Sequence, residues 1–202
     1  HPAAPVAASA VLSGAMIKAG LLGWLRFLPL GSVQLSPWGE GLIFLGLLSA
    51  LLAALLGMAQ QKPKTVLAYS SVSQMGLASV TVGAGLLVPA AWPSLRASLL
   101  LFIVSHGIAK AALFLGVGMA QARPSTNVQR AAVAGGLLLA AASLAGIPLT
   151  LGYVAKESQA ATAGWLAPGA ALANTPPEVP TWMKRLGFPV GDRPYGRPSD
   201  HE

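Results

Sequence analysis

Residues 99–119 read LLLFIVSHGIAKAALFLGVGM. A run of this length and apolarity suits one bilayer crossing, yet it holds an imidazole, His106, and an ammonium, Lys110, in its interior. The two are four residues apart. On a helix they share one face, with Cβ atoms about 6 Å from each other, on the same stripe as Phe102 and Leu113. A lysine near the bilayer centre costs roughly 2.5–3.5 kcal/mol on insertion scales, so it calls for a wet cavity, a partner or a neutral form. Lys110 lies mid-run rather than at an end, where snorkelling to the interface would explain it. The stretch therefore reads as a membrane helix carrying two neighbouring proton-binding stations.

Composition agrees with a membrane protein: 54% of residues are hydrophobic, 9% are charged, and the mean hydropathy is +0.63. The charge is uneven. Residues 1–172 hold nine basic groups against two acids, Glu40 and Glu157, so all of the +7 net charge lies there. Residues 173–202 hold four of each sign and are rich in Pro. The basic residues sit at helix ends or singly inside apolar runs and form no stripe, which argues against nucleic acid as a partner. The chain contains no Cys, so disulfides and thiolate metal or iron–sulfur sites are excluded. The histidines at 1, 106 and 201 make no ligand cluster, and no Gly-rich phosphate loop occurs, so we expect no metal, flavin or nucleotide cofactor. The chain opens on His1 and shows no signal peptide; we expect it to be a portion of something longer.

The expected fold class is all-α, a polytopic transmembrane helix bundle with one discontinuous helix. Spans are expected at about 6–28, 40–60, 65–88, 96–121 and 128–168, forming a bundle over 1–172, with an extramembrane Pro-rich tail over 173–202. Lys18 lies inside the first span. The second, with its SALLAALLG texture, offers small residues for close helix contact. Pro63 in the QKPKT turn ends one helix and can start the next. The third opens with AYSSVSQMG, whose Ser70, Ser73 and Gln74 give a polar flank able to hold water. The last apolar segment is too long for one straight crossing and is interrupted by AGIPLTLG. Gly146, Pro148 and Gly152 there suggest a break near 146–150, because unwound backbone at membrane depth is tolerated beside protein or a water cavity. Six spans is the alternative count. The amino end, the Lys62/Lys64 turn and the Arg123/Arg130 turn fall on one side, which the positive-inside rule makes cytoplasmic.

HPAAP, SGAMIKAGLLGWLRF, LAYSSVSQMG, SHGIAKAALFLGVG and GIPLTLGYVAKE occur in this order. Together they resemble the proton-translocating antiporter-type membrane subunits of respiratory complex I (NADH-quinone oxidoreductase) and Mrp antiporters, over residues 1 to about 160. The resemblance implies that Lys18 takes the central-axis lysine of the eighth family helix. It likewise implies that His106 and Lys110 take the polar pair of the eleventh, and Lys156 the charged position of the broken twelfth. Gln74 stands where some relatives carry His, and QQKPK replaces an acidic-then-basic turn. The family's earlier helices, which bear its first glutamate–lysine pair, have no counterpart in this sequence.

The chemistry suits these residue types. A buried amine gives up its proton readily because desolvation disfavours the charged form, and His titrates nearest neutrality. The positive end of the second half-helix would favour the neutral amine of Lys156. Glu157 is adjacent but about a quarter-turn away. The expected function is a subunit of a larger energy-coupling complex that moves protons, with sodium as an alternative cargo, along Lys18, His106, Lys110 and Lys156. Other membrane subunits and the lipid bilayer are its partners, in a bacterial inner membrane. Alternatives are a non-conducting scaffold, or a membrane subunit driving a soluble carbonic-acid or hydrogenase module. No redox or hydrolytic site is expected in this chain.

Overall fold

The structure, a computed structural model, describes residues 4–163. The Pro-rich tail over 173–202 and the end of the last expected span lie outside the described residues. Among the described residues there are seven α-helices: α1 (Val6–Val11), α2 (Ile17–Phe27), α3 (Ser36–Met58), α4 (Pro63–Leu87), α5 (Trp92–Gln121), α6 (Asn127–Ala145) and α7 (Leu151–Ala163). A π-helical turn over Leu12–Met16 joins α1 to α2 into one rod of 22 residues. That rod, α3, α5 with its leading turn, and α6 are long and apolar enough to cross a membrane. The protein is an all-α polytopic bundle with one discontinuous helix.

α4 is as long as a crossing, at 25 residues, but carries Ser70, Ser71, Ser73, Gln74, Ser79 and Thr81. It compensates by packing along α3. Glycines face glycines there: a Cβ on Gly46 would lie 2.6 Å from the Gly76 carbonyl oxygen, and one on Gly39 would lie 2.8 Å from that of Gly83. Small residues at matched heights let two backbones touch, which is how helices gain contact energy where lipid removes the hydrophobic drive. The opposite face of α3 presents Trp38, Phe44, Leu48, Leu51 and Leu55 outward. Such a face suits lipid rather than water.

α5 runs through the middle. Its outward line is apolar, with Leu100, Val104, Ile108, Leu115 and Met119 exposed, while Ser98, Ser105, His106 and Lys110 are buried. This inverts the pattern of a water-soluble helix. The Lys64 ammonium donates to the Ala4 carbonyl, and Val6 packs where a Gly118 Cβ would stand, so the amino end, the α3–α4 turn and the end of α5 gather at one end. At the other end Trp92 fills the space left by Gly31 and Gly85.

α6 begins with a capping box, Thr126 accepting from the Gln129 amide while the Gln129 side chain accepts from that of Thr126. It ends at Gly146 in left-handed conformation (φ 78°), and the Ile147 amide donates to the Ala142 carbonyl over 3.0 Å. This is a Schellman closure. Leu149 also has positive φ, and Thr150 then caps α7 by accepting from the Tyr153 amide at 3.2 Å. Pro148 lies exposed in the non-helical link. α7 restarts against the last turn of α6, where a Cβ on Gly152 would collide with the Ser143 carbonyl oxygen. From there Ala155 joins the cluster of Leu95, Leu99 and Phe102, so α7 carries on toward the Trp92 end of α5.

Candidate functional site

Lys110 is fully buried, and its ammonium donates to the Leu67 carbonyl of α4 over 2.7 Å and to the Ser70 hydroxyl. Lys18 is 4% exposed and donates to the Ser13 carbonyl within its own rod. The π turn lies immediately before Lys18. It meets α5 at a glycine crossing: a Cβ on Gly107 would sit 2.9 Å from the Gly14 carbonyl oxygen and 3.8 Å from Lys18 Nζ. The crossing therefore holds the Lys18 ammonium beside the turn of α5 that carries His106.

Between the two lysines stands a hydroxyl pair. Ser13 Oγ and Ser71 Oγ are 2.8 Å apart, and Ser71 also donates to the Leu67 carbonyl at 3.0 Å. One carbonyl thus receives both Lys110 and Ser71, while Ser13 meets Lys18 through its backbone carbonyl and Ser71 through its hydroxyl.

His106 is 2% exposed and stacks on Phe102, ring centroids 5.7 Å apart at 15°. Neither ring nitrogen has a hydrogen-bond partner among the described residues, nor does Gln74 Oε1. These groups line a cavity of about 10 Å³ together with Ser105, Ser143 and Lys156. That is close to the space one water occupies. Lys156 itself reaches back over Gly146 to donate to the Ala145 carbonyl at 3.0 Å. Its ammonium therefore sits at the negative end of α6, not at the positive end of α7.

The remaining residues divide. Ser70 serves Lys110, and Gln74 faces the His106 cavity. Ser73 turns instead to α3, donating to the Ala50 carbonyl at 2.9 Å, and acts between helices. Glu157 is exposed, and no hydrogen bond or ion pair joins it to Lys156 among the described residues. Among the described residues, every oxygen bonded by the three buried or half-buried ammonium groups is neutral. Sequence reasoning missed Ser13 and Ser71; the signals present were a Ser-Gly pair just before Lys18 and the doubled serine of AYSSVSQ.

The family model described as "NADH:quinone oxidoreductase/Mrp antiporter, TM" matches residues 1–163. Relatives named "Putative antiporter subunit mnhA2" from Staphylococcus aureus strains MRSA252, USA300 and COL are each 32% identical over 180 residues, covering 77% of this chain. The chain spans 22% of the length of these relatives. No solved structure matches it. A match over residues 1–163 takes in every span described above, and the chain belongs to the NADH:quinone oxidoreductase/Mrp antiporter transmembrane family.

Proposed function

We propose that this chain forms a proton path within a larger membrane complex, with Lys18, Lys110, His106 and Lys156 as stations along one buried axis. The observation that carries the reading is the chemistry of the ammonium partners. A buried amine paired with a carboxylate would leave an uncompensated anion on losing its proton, at a cost of several kcal/mol. One bonded to carbonyl and hydroxyl oxygens forfeits only ordinary hydrogen bonds, about 1.5–3 kcal/mol for a charged donor. Lys18, Lys110 and Lys156 all have neutral partners, so each can cycle between charged and neutral forms. His106 and Lys156 face one small cavity, where a single water would bridge them.

The complex would sit in a bacterial inner membrane, with the Lys62/Lys64 end cytoplasmic and sodium as a candidate counter-cargo. Companion membrane subunits are expected on the open sides. One such side is a groove of about 580 Å³ between α2, α3 and α4, lined by Ile17, Trp24, Leu45, Ser71 and Met75. The test is proton translocation by the reconstituted complex carrying Lys110→Ala. Loss of translocation with the complex still assembled supports the path. Normal translocation would leave the chain a scaffold.

A further inference from the structure

We infer that the Ser13–Ser71 hydroxyl pair passes protons between Lys18 and Lys110, an inference that rests on the proton-path reading above.

The two hydroxyls are 0% and 3% exposed, lie on different helices 58 residues apart in sequence, and are 2.8 Å from each other. Each is tied to a different lysine. Ser13 supplies the carbonyl that holds the Lys18 ammonium, so a swing of Nζ from that carbonyl to the hydroxyl of the same residue brings the amine onto the pair. Ser71 shares the Leu67 carbonyl with Lys110. That carbonyl is oversubscribed, because Ser70 donates to it as well, at 3.1 Å. A carbonyl oxygen has two lone pairs. Three side-chain donors share it, so each of those bonds is weakened, and Ser71 has Ser13 on its other side.

The transfer balances. Once Lys18 has swung onto Ser13 Oγ and the neutral Lys110 amine has swung from the Leu67 carbonyl it shares with Ser71 onto Ser71 Oγ, the Lys18 ammonium gives a proton to Ser13 Oγ as Ser13 gives its own to Ser71 Oγ, and Ser71 gives its own to that amine. Each hydroxyl gains one proton and loses one, Lys18 ends neutral and Lys110 charged. Rotation of the two hydroxyls resets the pair. The backbone carbonyls can anchor the ends of this path but cannot relay, and the Ser70 hydroxyl on Lys110 bonds neither Ser13 nor Ser71, which leaves the Ser13–Ser71 pair as the hydroxyl step between the two helices.

The experiment is proton translocation by the reconstituted complex carrying Ser71→Ala, Ser13→Ala, the double substitution, and Ser71→Thr, with assembly followed on native gels. Removing one oxygen introduces no clash, so assembly is expected throughout. Each Ala variant should slow translocation about tenfold or more, on the scale of a lost acid–base relay. The double variant should be no slower than either single one, because the pair acts as a unit. Ser71→Thr, which keeps the hydroxyl, should return to within about threefold of the unsubstituted rate. Ala variants that translocate at the normal rate, or a Thr variant as slow as Ala, would overturn the relay and make the pair a packing contact. Lys110→Ala run alongside separates the two ideas: if it stops translocation while Ser71→Ala does not, the path stands and the relay falls.

Discussion

Lys156 on α7 donates to the Ala145 carbonyl of α6 over 3.0 Å, so a side chain from one half-helix closes the last turn of the other across the break. The contact needs Gly146 twice. Its φ of 78° is left-handed, and a Cβ there would stand 2.8 Å from Lys156 Cδ, in the path of the lysine stem. The break is thus fastened by the cation it exposes.

Gly146→Ala should therefore destabilise the complex by about 1–2 kcal/mol from the left-handed backbone alone, and displace Lys156 in addition. Gly135→Ala is the control, because nothing lies within 4 Å of that position; it should be neutral or slightly stabilising in a helix interior. Thermal unfolding of the purified complex reads both. Equal midpoints for the two variants would show that Gly146 bears no strain.

The α3–α4 hairpin depends on backbone contact at two heights. A Cβ on Gly76 would lie 2.5 Å from the Gly46 carbonyl oxygen, with backbone rather than a yielding side chain in the way. Gly76→Ala should cost about 1–3 kcal/mol as overpacking and lower the yield of assembled complex. Gly41→Ala, on an open part of α3, should leave yield unchanged. A normal yield for Gly76→Ala would mean that the helices separate freely.

Because the chain has no Cys, single cysteines report sidedness cleanly. Gln61→Cys and Ser125→Cys lie in turns at the end gathered by the Lys64–Ala4 and Gly118–Val6 contacts, and Ser32→Cys lies in the turn at the other. An impermeant maleimide applied to intact cells should label Ser32→Cys alone, with the other two labelled only after lysis. Labelling of Ser125→Cys from outside would reverse the orientation that the basic turns imply.

The fold was legible because apolar runs of crossing length are long-range signals written locally, and GIPLTLG punctuates the last one in a way no straight helix accommodates. The charged residues stood out for the same reason, as isolated costs in apolar surroundings. Which oxygen each ammonium reaches was not legible. Ser13 meets Ser71, and Lys110 meets Leu67, only because the π turn of the first rod, α4 and α5 pack together, and no spacing within one helix encodes that. Nor does spacing show that Lys156 bends back over Gly146 to the end of α6 instead of standing at the start of α7. The π turn before Lys18, which carries the Gly14 contact with Gly107, was equally hidden.

Lys110 allows the sharpest separation between a titrating group and a fixed charge. Its side chain is fully buried, and its ammonium has two oxygens within reach, the Leu67 carbonyl and the Ser70 hydroxyl. Lys110→Met keeps most of the volume and removes the charge, so packing is conserved at a cost under about 1.5 kcal/mol and the complex should assemble without translocating protons. Lys110→Arg keeps the charge but presents five N–H donors where two acceptors exist, and guanidinium stays protonated. It should assemble less well and also fail to translocate. Measured together in the reconstituted complex, the two variants decide the role. If Arg translocates normally while Met does not, Lys110 acts only as a permanent positive charge. If both are inactive per assembled complex, with assembly measured for each, a fixed charge does not suffice and the residue acts by losing its proton, as a station on the path requires.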